Sequence, residues 1–466
     1  MDWLPDLTQS DKPRYLAIAD RIAADIAAGA LSAGERLPPQ RRLAEALAVD
    51  FTTVARGYVE AQRRGLVESR VGQGTFVKAV SVKAVAPDRG SISRIVPTPE
   101  LVDLSMTLPP EPDDPALVAR LRQAMTEVGE RLVSLLRYQP LGGSPADKAA
   151  AALWLGRRGL APAPEQLFVV PGANAALLAI LSSLAKPGGA VLCEALTYPG
   201  IRSICAQLGL SLNGLAMDGE GLDPKAFAEA CARLRPKALY LNPILQNPTT
   251  ITMPERRREE IAGIARRHGV AIIEDDAYGF VPPAAPAPFA ALAPELTWHI
   301  AGLSKCLGAG LRLAYVVVPD LRSGWPFTAA LRASSIMASP LTAALATHWI
   351  EDGSADALLA FIRVETAARQ RLAAEILPAG LCRTDPLSFN LWLELPPPWT
   401  RAAFVGQMQA TGIGIVASDV FAAKGPAPEA ARICLGGPIG RKALGDALAF
   451  MAHALEQAPE VSARAL

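Results

Sequence analysis

Five short apolar runs constrain this chain more than anything else in it: LFVVPG from Leu167, AVLCE from Ala190, ALYLNP from Ala238, VAIIEDD from Val270 and LAYVVVP from Leu313. Each is short, nearly all apolar, and bounded by glycine, proline or a charge. Strands buried on both faces read this way, and the stretches between them carry helical patterns. The spacing therefore predicts an α/β fold around a mainly parallel sheet. In such sheets ligands sit beyond the carboxyl ends of the strands, so polar residues directly after these runs are the first candidates for chemistry. The 466 residues are enough for two or three domains, and half of them are hydrophobic, enough for a large core.

Bulk properties exclude several classes. The formal net charge is +1, so the whole molecule has no field for coating nucleic acid or anionic membrane. The opening MDWLPDLTQSDKPRY is acidic and polar and lacks the basic and apolar regions of a secretion signal. Apolar runs of about 18 residues without charge or proline are missing, so no membrane span and a cytoplasmic location are expected. The six cysteines (193, 205, 231, 306, 382 and 434) form no C-x-x-C pair, and the four histidines are equally scattered. Reduced thiols and no metal centre are the expectation. KAVSVKAVAPDRGSISRIVPT, from Lys78 to Thr98, keeps no period and reads as a linker. The expected organisation is a small domain over 10–78, a linker over 79–100 and a large domain over 101–466.

In the small domain, Ile18, Ile22 and Ile26 lie four apart on one helix face, with Gly29 as a stop. A second helix fits Pro39 to Leu47, and Ala48 to Phe51 make a turn. A third helix starts near Thr52, capped by Asp50 or Thr52. LVESRVGQGTFV then alternates around Gly72 and Gly74, as a hairpin does. Three helices and a hairpin in this order make a winged helix-turn-helix, whose third helix enters the major groove of duplex DNA. Taken singly, Arg41 and Arg42 read as solvated surface. LPPQRRLAEALAVDFTTVARGY as a whole resembles the DNA-binding domain of GntR-type regulators, whose pattern reads L-P-S-x-R-x-L-A and then V-S-R-x-T-V. Arg41 matches the motif arginine, Thr53 and Val54 the later pair, and GQGTFV the wing. The resemblance implies operator contacts from Arg36, Arg41, Thr52, Thr53, Arg56, Gln73, Gly74 and Thr75. Two positions depart from it: Phe51 stands where the family usually has arginine, and Pro39 where it usually has serine. From Arg36 to Arg70 there are seven basic and four acidic residues, so one copy should bind DNA weakly and a dimer is needed.

GLSKCLGAGLR, from Gly302 to Arg312, poses a second question. Alone, Lys305 would be a solvated lysine. Here it follows the strand-like TWHIAGLS, and a lysine at a strand end in an apolar site acts as an amine nucleophile when its pKa is lowered. Asn247 and Asp275 precede it by similar intervals, 28 residues from Asn247 to Asp275 and 30 from Asp275 to Lys305. Each interval is about one βα unit, which puts three polar residues at three strand ends.

This ordered set resembles the fold-type I pyridoxal-phosphate (PLP) enzymes of the aminotransferase class I/II family, from about residue 101 to the end. The resemblance implies an α/β PLP-dependent transferase fold with a smaller C-terminal α/β subdomain. It implies Lys305 as the Schiff-base lysine and Asp275 as the partner of the pyridinium nitrogen. Asn247 and Tyr278 would hydrogen-bond the phenolic oxygen, and Tyr198 would stack on the ring. Ala173, Asn174, Ser304 and Arg312 would hold the phosphate, joined by Tyr138 from the other subunit. Arg432 would grip an amino acid's carboxylate. Gly302 stands where many relatives have serine or threonine, and Thr250 where the N-P-T-G motif has glycine. A GntR-type head on such a domain resembles the MocR-type regulators. That implies a homodimeric, PLP-dependent transcriptional regulator that binds duplex operator DNA. It would sense an amine or amino acid through an external aldimine formed as the ligand displaces Lys305. The alternative is a working aminotransferase with an accessory N-terminal domain.

Overall fold

The structure, a computed structural model, describes residues 3–5, 14–27, 30–31, 34–63, 66–70, 74–77 and 102–457. Gly29, Gly72, Gln73 and the linker over 79–100 lie outside these residues. The chain divides into two compact units, Met1–Val96 and Pro97–Leu466.

The first unit is a winged helix. Helices α1 (Arg14–Ala27), α2 (Gln40–Ala46) and α3 (Phe51–Arg63) are followed by the hairpin β1 (Val67–Arg70) and β2 (Gly74–Val77). The strands pair antiparallel with Val67 opposite Val77 and Arg70 opposite Gly74. Arg36 adds a bridge to Phe76. The isoleucine stripe does what its spacing requires: Ile18 and Ile22 are fully buried against Val54, Tyr58 and Ala61 of α3. Gly57 lets the two helices meet, since a Cβ there would lie 2.9 Å from Ile18 Cγ2. Of the two possible caps for α3, Asp50 is the one used. Its carboxylate accepts the Thr52 N–H at 2.7 Å and also the Thr52 hydroxyl, and these bonds hold the Asp50 carboxyl below its ordinary value.

The second unit is built on a seven-stranded sheet. Its strands are β3 (Leu167–Val170), β4 (Ala190–Glu194), β5 (Ser211–Leu215), β6 (Ala238–Leu241), β7 (Ala271–Asp275), β8 (Thr297–Gly302) and β9 (Ala314–Val317). Their spatial order is β3-β9-β8-β7-β6-β4-β5. β9 pairs antiparallel with both β8 and β3, and the other pairings are parallel. The strands of all five apolar runs are buried, and helices cover both faces of the sheet, which is why those runs show no alternation. Because β6, β7 and β8 are neighbours, the segments after them converge at one edge.

A smaller antiparallel sheet follows, of β10 (Cys382–Thr384), β11 (Asn390–Glu394), β12 (Val416–Ala417) and β13 (Ala430–Cys434) in the order β10-β11-β13-β12. Its core includes Leu391, Ile433, Phe404 and Leu444. The segment Val102–Asp103 pairs parallel with Ile413–Gly414, so the first described residues after the linker belong to this subdomain. Among the described residues no helix is long and apolar enough to cross a membrane, and no cluster of His, Cys, Asp and Glu is arranged to hold a metal ion. All six cysteines are free thiols.

Candidate functional site

A cavity of about 440 Å³ opens where the ends of β6, β7 and β8 meet the small sheet. Lys305, Asp275, Asn247, Tyr278, Tyr198, Ala173, Asn174, Ser304, Arg312 and Arg432 all line it. Tyr138 does not; it is 81% exposed on the surface of the chain.

Asp275 is the last residue of β7, and strand alternation decides which of two adjacent aspartates faces the cavity. Asp276 turns the other way, onto the buried Arg158 guanidinium at 3.0 Å. Asp275 Oδ2 accepts the Tyr240 hydroxyl at 2.8 Å, and its Oδ1 is buried without a partner. Burial raises this carboxyl to about 6, against the pull of the Tyr240 hydrogen bond and with a further push from Asp276. Asn242, the first residue after β6, donates to the Asp275 carbonyl at 2.7 Å and accepts the Asn247 N–H at 2.9 Å. One amide thus ties two cavity residues together.

Lys305 sits in a single 3₁₀ turn directly after β8. Its ammonium donates to the Thr107 carbonyl. Burial pushes its pKa down to about 8, reinforced by the nearby Arg432 and Arg312 cations and opposed by Cys434 and Asp275. Arg432, on β13, donates to Asn247 Oδ1 at 2.7 Å and to the Ser105 carbonyl, and its guanidinium lies 4.8 Å from the Phe421 ring centroid. Its Nε is buried without a partner. Tyr278 is buried edge-on to Phe389, with its hydroxyl pushed well above its ordinary value by burial.

The far end of the cavity is made for an anion. The helix α4 (Ala173–Leu184) begins there behind Gly172, with no side chain capping it. Gly172 has φ +89°, and a Cβ on it would lie 3.5 Å from Arg312 Nη2. The cation therefore stands beside the open N–H groups of a helix N-terminus. Tyr198 donates to Asn174 Oδ1 at 3.2 Å. The structure does not explain the two departures from the family pattern. Thr250 adopts φ +63°, which glycine takes without steric cost. Gly302 is buried at the end of β8, where a Cβ would meet only the Ala173 methyl at 3.9 Å.

Sequence reasoning missed Tyr240, Asn242, Phe421 and the Ser105 and Thr107 carbonyls. A tyrosine in an otherwise apolar, doubly buried strand was a usable signal, because a buried hydroxyl needs a partner.

In the small unit, Arg36, Arg41, Thr52 and Arg56 are exposed and Thr53 is half-buried. Arg41 lies 5.9 Å over the Phe51 ring, and Arg56 lies 4.3 Å over Tyr15. Gly74 has φ +110° and sits against the Arg36 guanidinium. Thr75 is only 8% exposed, because the period-2 strand turns it inward with Val77.

Fold and cavity together define a winged helix-turn-helix head joined to a fold-type I domain. Comparison with known proteins agrees. Residues 99–440 match the family described as aminotransferase class I and II, and residues 14–77 match bacterial regulatory proteins of the gntR family. The chain is 30% identical to the uncharacterized HTH-type transcriptional regulator YdeF of Bacillus subtilis over 92% of each chain. It is 30% identical to the vitamin B6 salvage pathway transcriptional repressor PtsJ of Salmonella typhimurium, over 83% of this chain and 86% of PtsJ. It is 29% identical to the probable rhizopine catabolism regulatory protein MocR of Rhizobium meliloti over 66% of each. Among solved structures it resembles the α-aminoadipate aminotransferase LysN of Thermus thermophilus, complexed with N-(5'-phosphopyridoxyl)-L-leucine. That match has TM-score 0.68 and 22% identity, over 77% of this chain and 92% of LysN. The chain belongs to the MocR-type transcriptional regulators, in which a GntR-type DNA-binding head is joined to an aminotransferase class I and II domain.

Proposed function

We propose that this regulator binds PLP at Lys305 and operator DNA as a homodimer, and that an amine or amino acid captured at Lys305 changes its hold on DNA. Residues 10–78 would grip DNA, 79–100 connect, and 101–466 hold the cofactor. The observation that carries the reading is Asp275 Oδ1, a buried carboxylate oxygen with no partner, in one cavity with Lys305 and Arg432. A protonated ring nitrogen satisfies that oxygen. When bound, PLP supplies an aldehyde that captures amines and a ring that accepts electron density. Lys305, lowered to about 8, has a far larger neutral fraction near pH 7 than an ordinary lysine and so serves as the amine. Asn247 and Tyr278 would hold the phenolic oxygen, and Tyr198 would cover the ring face. Ala173, Asn174, Ser304 and Arg312 would hold the phosphate, with Tyr138 reaching it from a second copy. The exposed apolar row Leu132, Val133 and Leu136 beside Tyr138 supports such a pairing.

Arg432 would take the ligand's carboxylate. It now holds the Ser105 carbonyl, while Lys305 holds that of Thr107. Both carbonyls belong to the segment that follows the linker. The groups that the cofactor and ligand would claim are therefore among the groups that restrain this segment. Any effect on DNA affinity equals the ligand's preference between the two arrangements.

A second reading is favoured by the same convergence of Lys305, Asp275 and Arg432: a working aminotransferase that also carries a DNA-binding head. One experiment separates the two. Purified protein is titrated onto a labelled fragment from upstream of its own gene, with and without PLP, at fixed salt. Tight binding that changes with PLP and resists competitor DNA supports the sensor. Binding no better than to random DNA, with steady amino transfer to a keto acid, supports the enzyme.

A further inference from the structure

We propose that Phe51 reads the 5-methyl group of a thymine in the operator's major groove. The inference rests on the DNA-binding reading above and adds what the head recognises. Of the chain's twelve phenylalanines, Phe51 alone has more than a third of its surface exposed, at 44%. It is the first residue of α3, the helix that a winged helix-turn-helix presents to the major groove.

The chemistry left at this helix tip is unusual. A helix N-terminus commonly meets DNA by giving its open N–H groups to a phosphate. Here Asp50 has taken two of them, those of Thr52 and Thr53. Its carboxylate accepts the Thr52 N–H, and its carbonyl accepts those of Thr53 at 3.0 Å and Val54 at 3.4 Å. The Thr52 hydroxyl proton is committed to Asp50 as well. What the tip presents is a carboxylate already engaged and an apolar ring. Arg41 lies over that ring at 5.9 Å and places a cation next to it. The major-groove edges of the four bases offer donors, acceptors and one apolar group, the thymine methyl. An exposed ring without a donor, steadied by an arginine, matches that group and no other on a base edge.

The test uses full-length protein and a pool of random duplexes, from which bound sequences are enriched. Each thymine of the preferred duplex is then replaced singly by deoxyuridine, which removes only the methyl. The expected result is one position per half-site where uracil weakens binding roughly fourfold, the worth of one methyl group withdrawn from water. Phe51→Ala should bind the thymine and uracil duplexes equally, and Phe51→Leu should keep part of the difference. Phe51 is exposed, and the Leu variant checks that the head still folds and binds. Uniform affinity across all uracil duplexes, or a uracil penalty unchanged in Phe51→Ala, overturns the inference while leaving DNA binding in place. Failure to enrich any duplex overturns the DNA-binding reading, and the inference with it.

Discussion

Tyr240→Phe removes one hydroxyl, and its effect can be worked out from Asp275. In the folded chain this carboxyl sits at about 6 against an ordinary 3.8. The native state therefore holds a proton that the unfolded chain releases, and stability falls as pH rises from about 4 to about 6, by roughly 1.4 kcal/mol per pH unit. Tyr240 limits this loss, because its 2.8 Å hydrogen bond favours the charged carboxylate. A hydrogen bond to a charged group contributes about 1.5–3 kcal/mol and one to a neutral group about 1 kcal/mol. Below pH 5 Asp275 is largely protonated, so the substitution should cost about 1 kcal/mol there. At pH 8 the carboxylate is charged and the cost should rise to about 1.5–3 kcal/mol. In the variant the Asp275 carboxyl titrates higher, so the decline in stability extends past pH 6. Six of the seven tryptophans lie at position 154 or beyond, so their fluorescence follows unfolding of the large domain. Urea denaturation of apo-protein at pH 5 and pH 8 gives the two differences. Equal destabilisation at both values would refute the assignment of Tyr240 as the group that steadies Asp275.

Three further outcomes are expected. Reaction of apo-protein with PLP follows the neutral amine of Lys305, so its rate should climb with pH and level off above about 8, read from imine absorbance; a rate still climbing steeply at pH 10 would contradict the lowered lysine. Gly302→Ser has room for its Cβ and adds a hydroxyl beside Ala173 and α4, so PLP affinity should tighten roughly tenfold in a fluorescence titration, the worth of a hydrogen bond to a charged group. Gly436→Ala places a Cβ 1.7 Å from the Leu108 carbonyl oxygen, so the 105–109 segment must shift. This should cost about 1–3 kcal/mol in urea denaturation and weaken PLP binding.

The sequence exposes the central strands because burial on both faces leaves them mostly apolar. β5 reads SLNGL and escaped notice, since this edge strand is only half buried and keeps its asparagine and glycine, unlike the buried β3 at the opposite edge. The reversed direction of β9 was equally illegible: AYVV is as apolar as its parallel neighbours, and composition carries no sign for direction. At the cavity, the spacing from Asn247 to Asp275 to Lys305 brought out residues at strand ends, and the family resemblance supplied the rest. Tyr240 and Asn242 touch Asp275 across 35 and 33 residues of sequence, so no local pattern marks them. The Ser105 and Thr107 contributions come from backbone carbonyls, which every residue possesses and no sequence advertises.

Those two carbonyls have a consequence for the kind of signal the domain can encode. In the structure both grips are closed, Lys305 on Thr107 and Arg432 on Ser105. On the proposed reading, Lys305 would release Thr107 when it holds the cofactor, while Arg432 would keep Ser105. A ligand that took the lysine's place would free Lys305 to close the first grip again, and its carboxylate, where it has one, would draw Arg432 off Ser105. An amino acid would therefore leave the first grip closed and the second open, the converse of what the cofactor alone would do. A simple amine, lacking the carboxylate, would leave both grips closed. The same cavity would thus sort nitrogen compounds by their acid group before any side chain is consulted.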